Sequence, residues 1–178
     1  MKGGRTDHPL GGPLDMLYLA SIWLAGGAIA LMSLIVPWGV FTRYVLGTGS
    51  QWPEPIAILL MLVFTFVGAA AAYRAGAHIA VTMLTERLSP RGQRALAFGV
   101  DVLMLLVCAF VAWYGTRLCI ATMGQTISEL PWLPVGVTYA PLPIGAAFTL
   151  IFVLERMAFG EQSHRQVVSG TAAIVEAP

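Results

Sequence analysis

Residues 16–42 read MLYLASIWLAGGAIALMSLIVPWGVFT, an uncharged run bounded by Asp15 and Arg43. A polypeptide in lipid must bond every backbone N–H and C=O internally, so a run of this length is expected to be a helix that crosses the bilayer. It exceeds the apolar region of a secretory signal, which is about 7–15 residues. The triplet Ala28-Ile29-Ala30 imitates a cleavage site, but the run continues well past it, and no cleaved signal peptide is expected.

Three further runs repeat the pattern. Pro55 to Tyr73 lies between Glu54 and Arg74, and Ala95 to Thr116 is interrupted only by Asp101. The fourth lies within Leu130 to Leu154 and should start near Val135, because Pro131 and Pro134 break the chain before it. Each is long enough to cross a hydrocarbon core of about 30 Å. The composition agrees: 57% of the residues are hydrophobic and 11% charged, whereas soluble domains carry about 25% charged residues. Mean hydropathy is +0.77. The expected fold is an all-α membrane protein with four transmembrane helices. It divides into an N-terminal tail over 1–14, a transmembrane domain over 15–158 and a C-terminal tail over 159–178. A net charge of +1 leaves no footprint for nucleic acid.

Basic residues orient the chain. With the N-terminus inside, Lys2, Arg5, Arg74, Arg87, Arg91, Arg94, Arg156 and Arg165 are cytoplasmic, and only Arg43 and Arg117 lie outside. This asymmetry predicts cytoplasmic N- and C-termini. Between the second and third runs, Ile79, Val81, Met83, Leu84 and Leu88 are the larger apolar positions, with Glu86, Arg87 and Arg91 polar between or after them. The spacing predicts a short amphipathic helix lying in the cytoplasmic interface, within 77–94 and ended by Ser89-Pro90.

Residues that could do chemistry are few. His8, His78 and His164 sit in the tails or at an interface, so axial haem ligation inside the bundle is not expected. Cys108 and Cys119 are about three helical turns apart, too far for a disulfide within one helix, and read as small buried hydrophobes. No metal-ligand spacing or nucleophile–base pair is visible; no enzyme activity and no cofactor are expected. Arg43 and Tyr44 suit an interfacial anchor, or Arg43 pairs with Glu54 across the short outer loop or docks a partner. Glu54 follows Trp52-Pro53 in the first turn of helix two, where the helix dipole favours a carboxylate; a partner-facing ion pair is the rival reading. Arg74 closes helix two, where the dipole and anionic headgroups favour it. Asp101 sits within the membrane part of helix three and is expected to pair with Arg94 or Arg74, or to be protonated. Gly26 and Gly27 of helix one and Gly68 to Ala72 of helix two suit close helix packing, within the chain or against another membrane protein.

Taken in order, these marks resemble a known family: the small, DctQ-like membrane subunit of tripartite ATP-independent periplasmic (TRAP) transporters. Arg43-Tyr44 ends helix one, and Trp52 with Glu54 opens helix two. Tyr73-Arg74-Ala75-Gly76-Ala77-His78-Ile79 closes helix two, Ser89-Pro90-Arg91 follows, and Tyr139-Ala140-Pro141-Leu142-Pro143-Ile144-Gly145 opens helix four. The family commonly has a second acid where this chain has Pro55, and often an acid where it has Thr82. The resemblance implies a non-catalytic inner-membrane subunit. Its partners would be a large membrane subunit carrying the substrate and ion sites, a periplasmic substrate-binding protein, and membrane lipid. The substrate class implied is an organic acid. Arg43, Tyr44, Trp52, Glu54, Arg74 and His78 are the candidate interface or structural residues. Two other classes compete: a self-sufficient proton-coupled transporter using Glu54 or Asp101, and the anchor subunit of a membrane oxidoreductase.

Overall fold

A computed structural model describes residues 11–75 and 90–159. Four of its helices are long and apolar enough to cross a membrane. Helix α1 spans Gly11–Tyr44, α2 Pro53–Arg74 and α3 Pro90–Thr122. A two-stranded antiparallel hairpin follows, β1 Thr126–Ile127 with β2 Leu130–Pro134. The short helix α4, Val135–Tyr139, leads into α5, Pro141–Phe159. The expected interfacial helix falls mostly on residues 76–89, outside the described residues. Its proposed stop, Pro90, is the first residue of α3, where a proline without an N–H is tolerated.

The helix ends follow local chemistry. At the end of α1, Val45 N–H donates to the Phe41 carbonyl at 2.9 Å and Thr48 N–H to that of Thr42 at 3.2 Å. Gly47 and Gly49 then take positive φ values of 64° and 58°, which a side chain would oppose. Pro53 and Pro55 occupy the first turn of α2, where their fixed φ is already helical. Helix α1 contains 34 residues and α3 contains 33, so each is about 50 Å long. A core of about 30 Å cannot hold such helices upright, so they tilt or project into the headgroup layers.

The helices form an open row rather than a closed bundle. α1 packs mainly on α2, α2 on α5, and α5 on α3. The seam between α2 and α5 is close: a Cβ on Gly145 would lie 2.6 Å from the Phe66 carbonyl carbon, so only glycine allows this approach. In α2, Ala70 and Ala71 are buried, and the position of a Gly68 Cβ lies 3.5 Å from Ala25 of α1. Gly26 and Gly27 behave differently. A Cβ at either would meet nothing within 4 Å among the described residues.

The buried core lies where α2 and α5 end. Ala70, Tyr73, Phe152 and Val153 form it, with Leu17 and Tyr18 of α1 and Met104 and Leu105 of α3 packed against them. Trp23, Leu34, Leu103 and Phe110 are exposed, as lipid-facing side chains are. The hairpin between α3 and α4 was not expected from the sequence. Two strands of two and five residues are too short to show an alternating pattern, and Pro131 and Pro134 sit in β2, which has a partner on one side only.

Candidate functional site

Because consecutive membrane helices run in opposite directions, α1 and α3 begin at the same end of the row at which α2 and α5 finish. Each brings a charge to that end: Asp15, Asp101, Arg74, and the Glu155-Arg156 pair. Arg74 is the centre. Its Nε donates to Glu155 Oε2 at 2.8 Å and its Nη2 to Glu155 Oε1 at 2.8 Å, a two-pronged grip that suits the planar guanidinium. The same Nη2 donates to Asp15 Oδ1 at 2.7 Å. The rings of Tyr18 and Phe152 lie 5.2 and 5.4 Å from the guanidinium carbon, close enough for cation–π attraction. One side chain thereby ties α1, α2 and α5 together.

The next residue back begins a second link. Tyr73 Oη donates to Asp101 Oδ1 at 2.8 Å, and Arg156 Nε approaches the same oxygen at 3.5 Å. Arg156 also lies over the Tyr73 ring at 5.7 Å. This group joins α2, α3 and α5. Asp101 therefore does not pair with Arg74, whose donors are turned to Glu155 and Asp15; its partners are Tyr73 and Arg156. The Arg94 side chain lies outside the described residues. Arg74 is also buried within the chain rather than turned to headgroups; only 5% of its side chain is exposed and 1% of that of Glu155.

Sequence reading passed over Glu155 and Arg156 because they stand just beyond the last apolar position, Leu154, where charges look like the start of a tail. Comparing the helix ends would have found them. Tyr73-Arg74 and Glu155-Arg156 close two helices that run the same way, and complementary charges at one depth in lipid are expected to pair.

The opposite end is looser. Arg43 and Glu54 are exposed and line one cleft of about 370 Å³ between α1 and α2. Met32, Val36, Val40, Ala57, Ile58 and Met61 form much of its wall. Among the described residues no ion pair joins Arg43 to Glu54. Tyr44 is 79% exposed and Trp52 37%, one on each side of the loop between α1 and α2. Glu54 also borders a second cavity of about 320 Å³, with Glu129, Thr138 and Tyr139. The buried Thr138 Oγ1 has no hydrogen-bond partner among the described residues. His78 lies outside the described residues, as do His8 and His164. Among the described residues no three His, Cys, Asp or Glu side chains converge as a metal site would require, and Cys108 and Cys119 are buried and unbridged.

The chain matches the family model for the DctQ component of tripartite ATP-independent periplasmic transporters over residues 32–160. It is 30% identical over 129 residues to a protein of Haemophilus influenzae named as a TRAP transporter small permease, covering 72% of this chain and 80% of that one. It is 23% identical over 150 residues to the sialic acid TRAP transporter small permease protein SiaQ of Vibrio cholerae, covering 83% and 84%. The ectoine TRAP transporter small permease protein TeaB of Halomonas elongata is 28% identical over 142 residues, covering 78% and 72%.

Proposed function

The chain belongs to the DctQ family of small membrane components of tripartite ATP-independent periplasmic transporters, and on that premise we propose that it is the fixed part of its transporter. In this reading it widens a rigid scaffold against which a large membrane subunit carries substrate across the membrane. The single observation behind this is where the charges are. Arg74, Glu155, Asp15, Asp101 and Arg156 are engaged with one another at one end of the row. A translocation route needs polar groups free to replace the solvation of a cargo, whereas groups paired this way hold helices in register.

The transported substrate would be an organic acid delivered by a periplasmic binding protein, with uptake driven by a coupling ion bound in the large subunit. The basic residues favour cytoplasmic N- and C-termini, which puts Arg43, Glu54 and the hairpin on the periplasmic side. A cysteine at Ser50, in the outer loop, should then react with an impermeant reagent added to intact spheroplasts.

Co-expression with the large membrane subunit of its transporter tests the role. The two should purify as one complex in mild detergent. Proteoliposomes containing the chain alone should show no uptake, and those with both subunits should transport when the binding protein is supplied. Uptake by the chain alone, abolished by Glu54→Gln or Asp101→Asn, would instead establish a self-sufficient proton-coupled carrier.

A further inference from the structure

We infer that the cleft between α1 and α2 at the Arg43 end binds one phospholipid whose headgroup carries both a phosphate and a primary ammonium, as phosphatidylethanolamine does. The depth of the cleft is the first ground. Its wall runs along α1 from Arg43 to Met32, eleven residues or about 16 Å of helix. Half of a core about 30 Å thick is nearly the same length, so the cleft reaches through one leaflet.

Its level in the membrane is the second ground. Tyr44 and Trp52 flank the mouth and are exposed, and such rings settle at the headgroup layer. Below them the wall is apolar, with Val36, Val40, Ile58 and Met61 suited to an acyl chain. At the mouth stand one cation and one anion. They share the cleft without pairing with each other.

That pair selects among headgroups. The Arg43 guanidinium can grip a phosphate through two N–H donors, and Glu54 can accept from an ammonium. The quaternary ammonium of phosphatidylcholine has no N–H to donate. Phosphatidylglycerol offers no cation and sets its phosphate's charge near that of Glu54. A transmembrane helix of the large subunit would fill the apolar wall but leave the two charges without this complement. The assignment stands apart from the scaffold role and does not depend on it.

Native mass spectrometry of the purified chain with equimolar phosphatidylethanolamine, phosphatidylcholine and phosphatidylglycerol of matched acyl chains tests it. The wild type should retain phosphatidylethanolamine about tenfold over the other two, the value of one charge-assisted hydrogen bond. Glu54→Gln should bring phosphatidylethanolamine down to the level of phosphatidylcholine, and Arg43→Gln should weaken all three. A phosphatidylethanolamine carrying a photoreactive group at mid-chain needs no variant, and should crosslink near Val36 and Ile58 in the chain alone and with its large subunit. Equal retention of the three lipids by the wild type would overturn the proposal. So would unchanged selectivity in a folded Glu54→Gln variant, or labelling spread evenly over all helices. Protein crosslinks from photoreactive residues at positions 36 and 58 to the large subunit, with no lipid captured, would make the cleft a subunit interface and overturn it equally.

Discussion

Arg74 of α2 and Glu155 of α5, eighty-one residues apart in sequence, meet through two hydrogen bonds of 2.8 Å each. Both side chains are almost wholly buried. Burying either charge alone is costly, so the pair is a joint commitment of two helices. Asp15 and the rings of Tyr18 and Phe152 complete the surroundings of the guanidinium. Truncating one partner takes from the other buried charge the two short hydrogen bonds that offset its burial.

Glu155→Ala should therefore destabilise the chain by about 3–5 kcal/mol, as should Arg74→Ala. The double variant Arg74→Met/Glu155→Met should recover most of that loss, because it removes both buried charges and fills similar volume, while Asp15, which loses Arg74, is 27% exposed to water. Reversible unfolding in mixed detergent micelles measures all four corners of the cycle, with Arg74→Met and Glu155→Met as its single variants. A double variant as unstable as the sum of the single ones would show that the two residues act independently.

The Tyr73–Asp101 link should be weaker. Tyr73→Phe removes one hydrogen bond and keeps the ring beneath Arg156, so the expected loss is about 1 kcal/mol in the same assay. Asp101→Asn should cost less than Glu155→Ala, since 23% of the Arg156 side chain is exposed and water can still reach it. A loss from Asp101→Asn as large as from Glu155→Ala would indicate that Arg156 is held by this carboxylate alone.

Glycines separate internal packing from external packing. Gly145→Leu must push α5 away from the Phe66 backbone and should lower the melting temperature of the isolated chain. Gly26→Leu and Gly27→Leu enter space that is open among the described residues and should leave that temperature nearly unchanged. If the Gly26 face of α1 receives the large subunit, these two variants should instead abolish co-purification, which a pull-down would show. Unimpaired co-purification would place the subunit interface elsewhere.

The helices were legible because lipid leaves an uncharged run of about twenty residues few alternatives. Arg43, Glu54 and Arg74 could be singled out for a similar reason: a charge at the edge of an apolar run is conspicuous. Their partners were not legible. Asp101 was expected to reach Arg74 or Arg94, yet the open order α1–α2–α5–α3 brings Arg74 against Glu155 and Asp15 instead. Helix order in a membrane depends on close approaches such as Gly145 against Phe66, and these involve residues far apart in sequence. The hairpin between α3 and α4 escaped for the opposite reason, since its strands are too short to leave a period.

A scaffold role requires the row of helices to stay fixed while its transporter works. Spin labels at Val45, just beyond α1, and Ile120, in α3, both exposed, would report the width of the row across α2 and α5. Double electron–electron resonance on the complete transporter, with and without the substrate-loaded binding protein and the coupling ion, is the direct measurement. A fixed scaffold should give one distance, unchanged to within about 2 Å, the scale of small helix shifts. A distribution that splits or moves by several times that amount on adding substrate would contradict it, and would make this chain part of the moving machinery.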